Sequence, residues 1–160
     1  MLKFAASLAL STTILLSSAP AFAGGKKIPN DLRPCRSGNG PAVLVNVSGL
    51  KAGSGNVRVQ SYHGTKDEWL KSGAWLKRIE VPVSATNMTF CLPVKQAGEY
   101  AIAVRHDFNG NGKTDLTSDG GGMSNNPSIN IFNLGKPSYK KTKFAIGNEV
   151  KSISITMKYM

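Results

Sequence analysis

The chain has 160 residues, of which 41% are hydrophobic and 17 are Gly, and its 20 Lys and Arg against 9 Asp and Glu give a formal charge of +11. This length fits one domain, and a charged fraction of only 18% excludes the composition of an intrinsically disordered chain. With two His and no CxxC, HExxH or Gly-rich phosphate-binding motif, the common catalytic sets cannot be assembled. The sequence therefore predicts a non-catalytic protein.

The first 23 residues have the pattern of an export signal. Lys3 precedes an apolar run over residues 4–16, and small residues at 21 and 23 flank Phe22. This pattern predicts a signal peptide cleaved near Ala23, and a mature protein that is periplasmic or secreted. No segment approaches the roughly 18 consecutive apolar residues that a spanning helix needs, so the mature chain is not expected to span a membrane. Export also argues against nucleic acid as a partner.

The mature chain is predicted to consist of an N-terminal arm, residues 24–40, and one domain, residues 41–160. The arm carries Cys35, and the domain carries the only other cysteine, Cys91. An even pair in an oxidising compartment favours a disulfide, although two buried thiols or a redox site are alternatives. Closing a loop of about 57 residues stabilises a fold by about 4 kcal/mol in the chain-entropy model.

Apolar residues recur with a period of two along most of the domain, which is typical of strands with one buried face. Seven strands are predicted, at residues 42–48, 56–62, 77–83, 87–92, 99–106, 143–146 and 150–159. The only helical pattern covers residues 65–71, where Thr65 and Glu68 fit a capping box and Gly73 follows as a terminator. Short strands separated by turns predict an all-β sandwich with one short helix.

A Gly- and Asn-rich loop without strand pattern is predicted over residues 108–135, and it begins inside the string DFNGNGKTD. Alternating oxygen donors around a sharp glycine turn are the arrangement of a Ca²⁺ loop. The predicted ligand set is Asp107, Asn109, Asn111, the backbone carbonyl of Lys113, Asp115 and Asp119, with the turn at Gly112. Ser118 stands where a bidentate Glu is expected, so the predicted affinity is weak, on the order of 10⁻⁴ to 10⁻³ M. The alternative is a turn of Asx residues that binds nothing.

Other residues suggest two further functional hypotheses. A carbohydrate- or peptidoglycan-binding module is suggested by three aromatic residues, Tyr62, Trp69 and Trp75, together with the basic surface. The favoured alternative is that both Trp side chains are buried under the short helix, because Trp is mostly buried in proteins. A hydrolase around His106 and Asp107 is a third hypothesis, which suffers because strand neighbours point to opposite faces. The expected partner is an unidentified envelope protein or glycan.

The string AIAVRHDFNGNGKTD, the later GMSNNP and the alternating C-terminal strand resemble the bacterial exported proteins of the domain of unknown function 2141 family, over approximately residues 41–159. The resemblance implies an Ig-like or prealbumin-like sandwich of about seven strands and no assigned activity. It places the acidic loop of the family on Asp107, Asn109, Asn111 and Asp115, and its small polar motif on Ser124, Asn125 and Asn126. The small polar motif is expected either to fold back toward the loop as a ligand-binding element or to form a hydrogen-bonded turn.

Overall fold

The computed structural model describes residues 24–160, so the predicted signal peptide lies outside the described residues. The strands are β1 (Lys26–Lys27), β2 (Ala42–Ser48), β3 (Asn56–His63), β4 (Lys77–Pro82), β5 (Asn87–Pro93), β6 (Gly98–Asp107), β7 (Gly120–Met123), β8 (Phe144–Ile146), β9 (Val150–Thr156) and β10 (Lys158–Tyr159). One short helix, α1, covers Tyr139–Thr142, and 3₁₀ turns cover Arg33–Cys35 and Ile131–Asn133.

These strands form two sheets. The larger has the order β1-β4-β3-β6-β7-β10, with β8 also paired to β6, and the smaller has the order β5-β2-β9. Pairing is antiparallel except between β1 and β4 and between β2 and β9. The prediction of an all-β sandwich is confirmed. Across residues 24–160 the helices are all too short to cross a membrane.

The main core is the layer of side chains between the two sheets. It is built from alternate residues of β2, β5 and β9 on one side and of β3, β4 and β6 on the other, as the period of two predicts. Its largest fully buried members include Val43, Val45, Phe90, Leu92, Ile155, Val57, Val59, Ile79, Tyr100 and Ile102.

The other face of the large sheet carries a second, smaller cluster, made of Tyr62, Trp69, Ala101, Ala103 and Met123. The alternation along β6 continues to its end: His106 belongs to the inner face with Ile102, and Asp107 belongs to the outer face with Ala103. The Asp107 side chain therefore lies on the outer face of the large sheet.

Two strands were not predicted. β1 has only two residues, and β7 reads Gly-Gly-Gly-Met, which has no apolar alternation. Two glycines of β7 are explained by packing, because a Cβ on Gly120 would lie 2.6 Å from Cε1 of Tyr159 and one on Gly122 would lie 2.7 Å from Cγ2 of Ile155. The predicted final strand, 150–159, is divided at Met157 into β9 and β10, which pair in different sheets.

The predicted helix at residues 65–71 is wrong. The segment makes one α-helical (i to i−4) hydrogen bond, from the Trp69 N–H to the Thr65 carbonyl (3.1 Å), and then Leu70 takes a positive φ of 57°, which ends the helical turn. The Glu68 carboxylate accepts instead from the backbone N–H of His63 (3.2 Å). Among residues 24–160 the one short α-helix lies elsewhere, at α1.

The two cysteines lie at disulfide distance, with 2.02 Å between the Sγ atoms of Cys35 and Cys91. The predicted pairing is confirmed. Both are buried on the outer face of the small sheet with Ala42, so the bridge fastens the N-terminal arm to that face.

Candidate functional site

The candidate site is the loop between β6 and β7, which starts at Asp107. The Asp107 side chain is almost completely buried, and the residue is 3% exposed. Its Oδ2 accepts a hydrogen bond from the backbone N–H of Gly112 (2.8 Å), which bends the chain back onto the end of the strand. Gly112 has a φ of +77°, so the sharp turn predicted at this glycine is present.

The two asparagines of the loop each close a local turn. Asn109 Oδ1 accepts from the backbone N–H of Asn111 (3.1 Å), and Asn111 Oδ1 accepts from that of Lys113 (2.7 Å). An amide oxygen has two lone pairs, so each retains one that can face a cation. Both NH₂ groups donate to Oδ2 of Asp115, at 2.9 and 2.6 Å. These two hydrogen bonds lower the pKa of Asp115.

Asp119, the predicted substitute for the missing Glu, ties the two halves of the loop together. Its Oδ1 accepts from the backbone N–H of Phe108 (3.1 Å), and its Oδ2 accepts from that of Asp115 (3.0 Å). Asp107 and Asp119 are both buried, whereas Asn109 and Asn111 are exposed. The predicted ligand residues therefore form one hydrogen-bonded loop and are not dispersed into solvent.

One buried side-chain oxygen of the 107–119 loop has no hydrogen-bond partner. Oδ1 of Asp107 is buried and accepts no hydrogen bond, while Oδ2 of the same carboxylate accepts from both Gly112 and Arg105. A buried carboxylate oxygen without a donor is costly, because the folded chain does not replace the water that the oxygen loses. The carboxylate of Asp107 thus keeps one oxygen whose acceptor capacity is unused.

Arg105 is the residue of this site that the sequence analysis missed. Its guanidinium donates to Asp107 Oδ2 (3.2 Å), to the Gly112 carbonyl (3.2 Å) and to Thr114 Oγ1 (2.8 Å). The arginine thus places one positive charge beside the carboxylate. The pattern AVRHD contained the signal, since residues two apart on a strand share a face.

Carboxylates are few at this site. Within residues 24–160, no group of three or more His, Cys, Asp or Glu side chains is arranged so that it could hold a metal ion. A cation here would have to take much of its coordination from amide and backbone oxygens, which fits a hard ion of low affinity.

The small polar motif does not turn toward this loop. Ser124 donates to the Thr142 carbonyl (2.6 Å), and Asn125 donates to the carbonyls of Lys141 and Lys143 at 3.2 and 3.0 Å. Asn126 donates to the Ser154 carbonyl (3.0 Å) and accepts from the Thr156 N–H (2.8 Å). These three side chains bind backbone of α1 and β9, which corresponds to the hydrogen-bonded-turn interpretation.

The three aromatic residues proposed for glycan binding are largely buried. Tyr62 is 3% and Trp69 9% exposed, and their rings pack edge to face with centroids 5.4 Å apart. Trp69 Nε1 donates to the Pro137 carbonyl (2.8 Å), and Trp75 is half-buried under the guanidinium of Arg78, 4.2 Å from the ring centroid. This packing leaves little ring surface for stacking on a sugar.

His106 is fully buried on the inner face, with both ring nitrogens in use. Nε2 lies 2.8 Å from the Ser54 carbonyl, and Nδ1 lies 2.6 Å from the Tyr159 hydroxyl. Because a carbonyl only accepts, Nε2 carries the proton and Nδ1 accepts from the tyrosine. His106 and Asp107 belong to opposite faces of the sheet, so the geometry gives the hydrolase hypothesis no support.

Comparison with known proteins gives a family and no function. The model of a family described as "Uncharacterized protein conserved in bacteria (DUF2141)" matches residues 45–154, which is more than half of the chain. The chain belongs to this family. No curated protein matches. No solved structure matches either. The family match spans the whole 107–119 loop and the small polar motif, which supports the resemblance drawn from the same residues.

Proposed function

We propose that this DUF2141 protein is a non-catalytic, exported β-sandwich whose 107–119 loop binds Ca²⁺. The observation that carries the proposal is the buried, unpartnered Oδ1 of Asp107, at the start of a loop whose alternate side chains present oxygen. Ca²⁺ accepts carboxylate, amide and backbone oxygens in flexible geometry, which is the donor set of this loop.

Bound Ca²⁺ would replace hydrogen bonds within the loop, because the oxygens that accept them would coordinate the ion instead. Asp107, Asp115 and the amide oxygens of Asn109 and Asn111 would supply ligands, and Asp119 would hold the loop closed through its two backbone contacts. At a Ca²⁺ concentration tenfold above Kd, the free energy of unfolding rises by about 1.4 kcal/mol. The proposed role is to stabilise this end of the sandwich in a calcium-containing environment, in the periplasm or outside the cell.

Calorimetric titration with Ca²⁺ tests the proposal. We expect saturable binding with a Kd on the order of 10⁻⁴ to 10⁻³ M, and a loss of at least about tenfold in Asp115→Asn, which removes one carboxylate from a partly exposed position. Asp107→Asn should abolish binding. The matched control is Asp67→Asn, whose side chain is 86% exposed outside the loop. No saturable heat in the unmodified protein, or equal affinity in Asp115→Asn, would contradict the proposal.

Arg105→Gln sharpens the same experiment. The guanidinium occupies Oδ2 of Asp107, so its removal takes away a positive charge that repels a second cation. We expect Ca²⁺ to bind about tenfold more tightly to this variant, while the metal-free variant melts at a lower temperature because the buried Asp107 loses its counter-charge. A lower melting temperature with unchanged Ca²⁺ affinity would assign Arg105 a structural role only.

A further inference from the structure

Exposed apolar side chains are concentrated in one place on this protein. Across residues 24–160, six large apolar residues are exposed, and five of them lie within the 107–119 loop, in or next to the 3₁₀ turn Ile131–Asn133, or directly after β10. We name these five the apolar patch: Leu116, Ile131, Phe132, Leu134 and Met160. The sixth, Leu32, lies in the N-terminal arm.

The members of the apolar patch are neighbours in space. Leu116 Cδ2 and Met160 Cε both lie 3.8 Å from the position that a Cβ on Gly135 would take, and Leu134 lines the same cleft as those two residues. Ile131 and Phe132 share a 3₁₀ turn with Leu134, whose N–H donates to the Ile131 carbonyl (3.2 Å). A clustered apolar surface of this kind marks an interaction site more often than scattered exposed residues do.

The turn that carries Phe132 is well fixed by hydrogen bonds. Asn130 Oδ1 accepts from the N–H groups of Phe132 (3.0 Å) and Asn133 (3.2 Å), and Asn133 Oδ1 accepts from that of Asn130 (3.1 Å). The turn thus presents Phe132, which is 92% exposed, at a defined position. Leu134 keeps a large apolar side chain at a φ of 49°, where Asn or Gly is more easily accommodated. A turn needed only to connect two segments would not require either residue.

Positive charge borders the apolar patch. Lys136 and Lys158 are exposed on the rim of a cleft of about 320 Å³ that Leu116, Leu134 and Met160 also line. Within the described part of the chain neither lysine forms a salt bridge. Asp115 and Asp119 also line the cleft, together with Arg58 and Arg105, so its lining carries four positive side chains and two negative ones. The border of the patch therefore favours an anionic partner.

We propose that the apolar patch and its two lysines dock this protein onto an anionic lipid bilayer, with Phe132 inserted at the headgroup boundary. Exposed Phe and Leu with adjacent Lys are the composition of interfacial membrane anchors, in which apolar burial and attraction to anionic headgroups add. Basic residues at a membrane surface each strengthen the attraction to anionic lipid, and the overall excess of Lys and Arg acts in the same direction. The proposal does not depend on calcium.

Vesicle co-sedimentation tests this docking surface. The protein is recovered after export, its N-terminus is determined by mass spectrometry, and binding is measured in chelator with vesicles of equal parts phosphatidylglycerol and phosphatidylcholine, or of phosphatidylcholine alone. We expect binding to the anionic vesicles that weakens with added salt. Phe132→Ser should reduce the partition coefficient about tenfold, because the ring no longer leaves water. The matched control Leu32→Ser should have no effect.

The lysines are tested by the double variant Lys136→Gln/Lys158→Gln against the control Lys26→Gln/Lys95→Gln, which removes the same charge from other exposed sites. The first variant should bind anionic vesicles more weakly than the second. Equal binding of Phe132→Ser and the unmodified protein would overturn the proposal. That result is expected if a retained signal peptide or the overall positive charge causes the binding. A dimer in solution that Phe132→Ser dissociates, without vesicle binding, would also overturn it and assign the patch to a second copy of the chain.

Discussion

Tyr159 joins three parts of the molecule through one hydroxyl group. The hydroxyl donates to Nδ1 of the buried His106 (2.6 Å) and accepts from the backbone N–H of Lys51 (3.1 Å). The ammonium of Lys51 lies 4.3 Å from the centre of the tyrosine ring. The pair of His106 and Tyr159 thus satisfies polar groups that the core would otherwise leave unpaired.

Replacing Tyr159 by Phe is expected to destabilise the fold by about 1 to 3 kcal/mol at neutral pH, because His106 Nδ1 loses its donor and the Lys51 N–H loses its acceptor. Urea unfolding monitored by circular dichroism measures the change. A difference of less than about 0.5 kcal/mol would show that water or another group replaces the hydroxyl.

The pKa of Tyr159 predicts that the free energy of unfolding decreases at alkaline pH. Burial raises the pKa of Tyr159, while the hydrogen bond from Lys51 opposes the shift. A tyrosine whose pKa is higher in the folded state contributes fully below its unfolded pKa of about 10, and its contribution is lost as pH rises through the folded pKa. Burial also raises the pKa of Tyr62, so Tyr62 changes the pH dependence of stability in the same direction. Stability should therefore fall above pH of about 10, and less steeply in Tyr159→Phe.

The residues of the site show what alternation can and cannot predict. The oxygen donors of the loop followed from their spacing, and Gly112 followed from the turn that they need. Arg105 could have been found from its two-residue spacing to Asp107. The contacts of Asn125 and Asn126 with α1 and β9 could not, because they join segments 16 to 30 residues apart in sequence that only the fold brings together.

At the scale of elements, the N-terminal arm is held by its disulfide and β1, by packing of Ile28 against the main core, and by hydrogen bonds of the Asn30 side chain to the backbone of β5. Breaking the bridge in Cys35→Ala/Cys91→Ala frees a segment closed by a sequence separation of 56 residues. We expect a loss of about 4 kcal/mol in the free energy of unfolding, measured by denaturant titration against the oxidised protein. A loss below about 1 kcal/mol would show that the arm stays folded without the covalent link.

The strands that the sequence predicted well are those with one face in the main core, such as β2 and β5, because burial on one side imposes a period of two. β7 was not predicted because its glycines leave no apolar pattern; a Cβ on Gly120 would meet the Tyr159 ring, and one on Gly122 would meet Ile155 and Met157. The mistaken helix at 65–71 had good local capping residues. Packing of Trp69 against Tyr62 and the left-handed Leu70 determined the segment instead.

For the whole molecule, the proposed calcium loop and the apolar patch lie together on the outside of the large sheet, and Leu116 belongs to both. Leu116 follows Asp115 directly in sequence, and both residues line the same cleft. The small sheet and the disulfide form the opposite layer. Both proposed activities are therefore placed on the same side of the sandwich, at the outer face of the large sheet.

The most direct test of the calcium proposal is a titration followed by amide chemical shifts. The backbone N–H groups of Phe108, Gly112 and Asp115 donate to the carboxylates of Asp107 and Asp119, so they report on the proposed site. We predict that Ca²⁺ shifts these three amides first and to a common saturation point, while the amides of the 3₁₀ turn Ile131–Asn133 change little. Shifts that are absent, or that spread evenly over the surface without saturation, would contradict calcium binding by this loop.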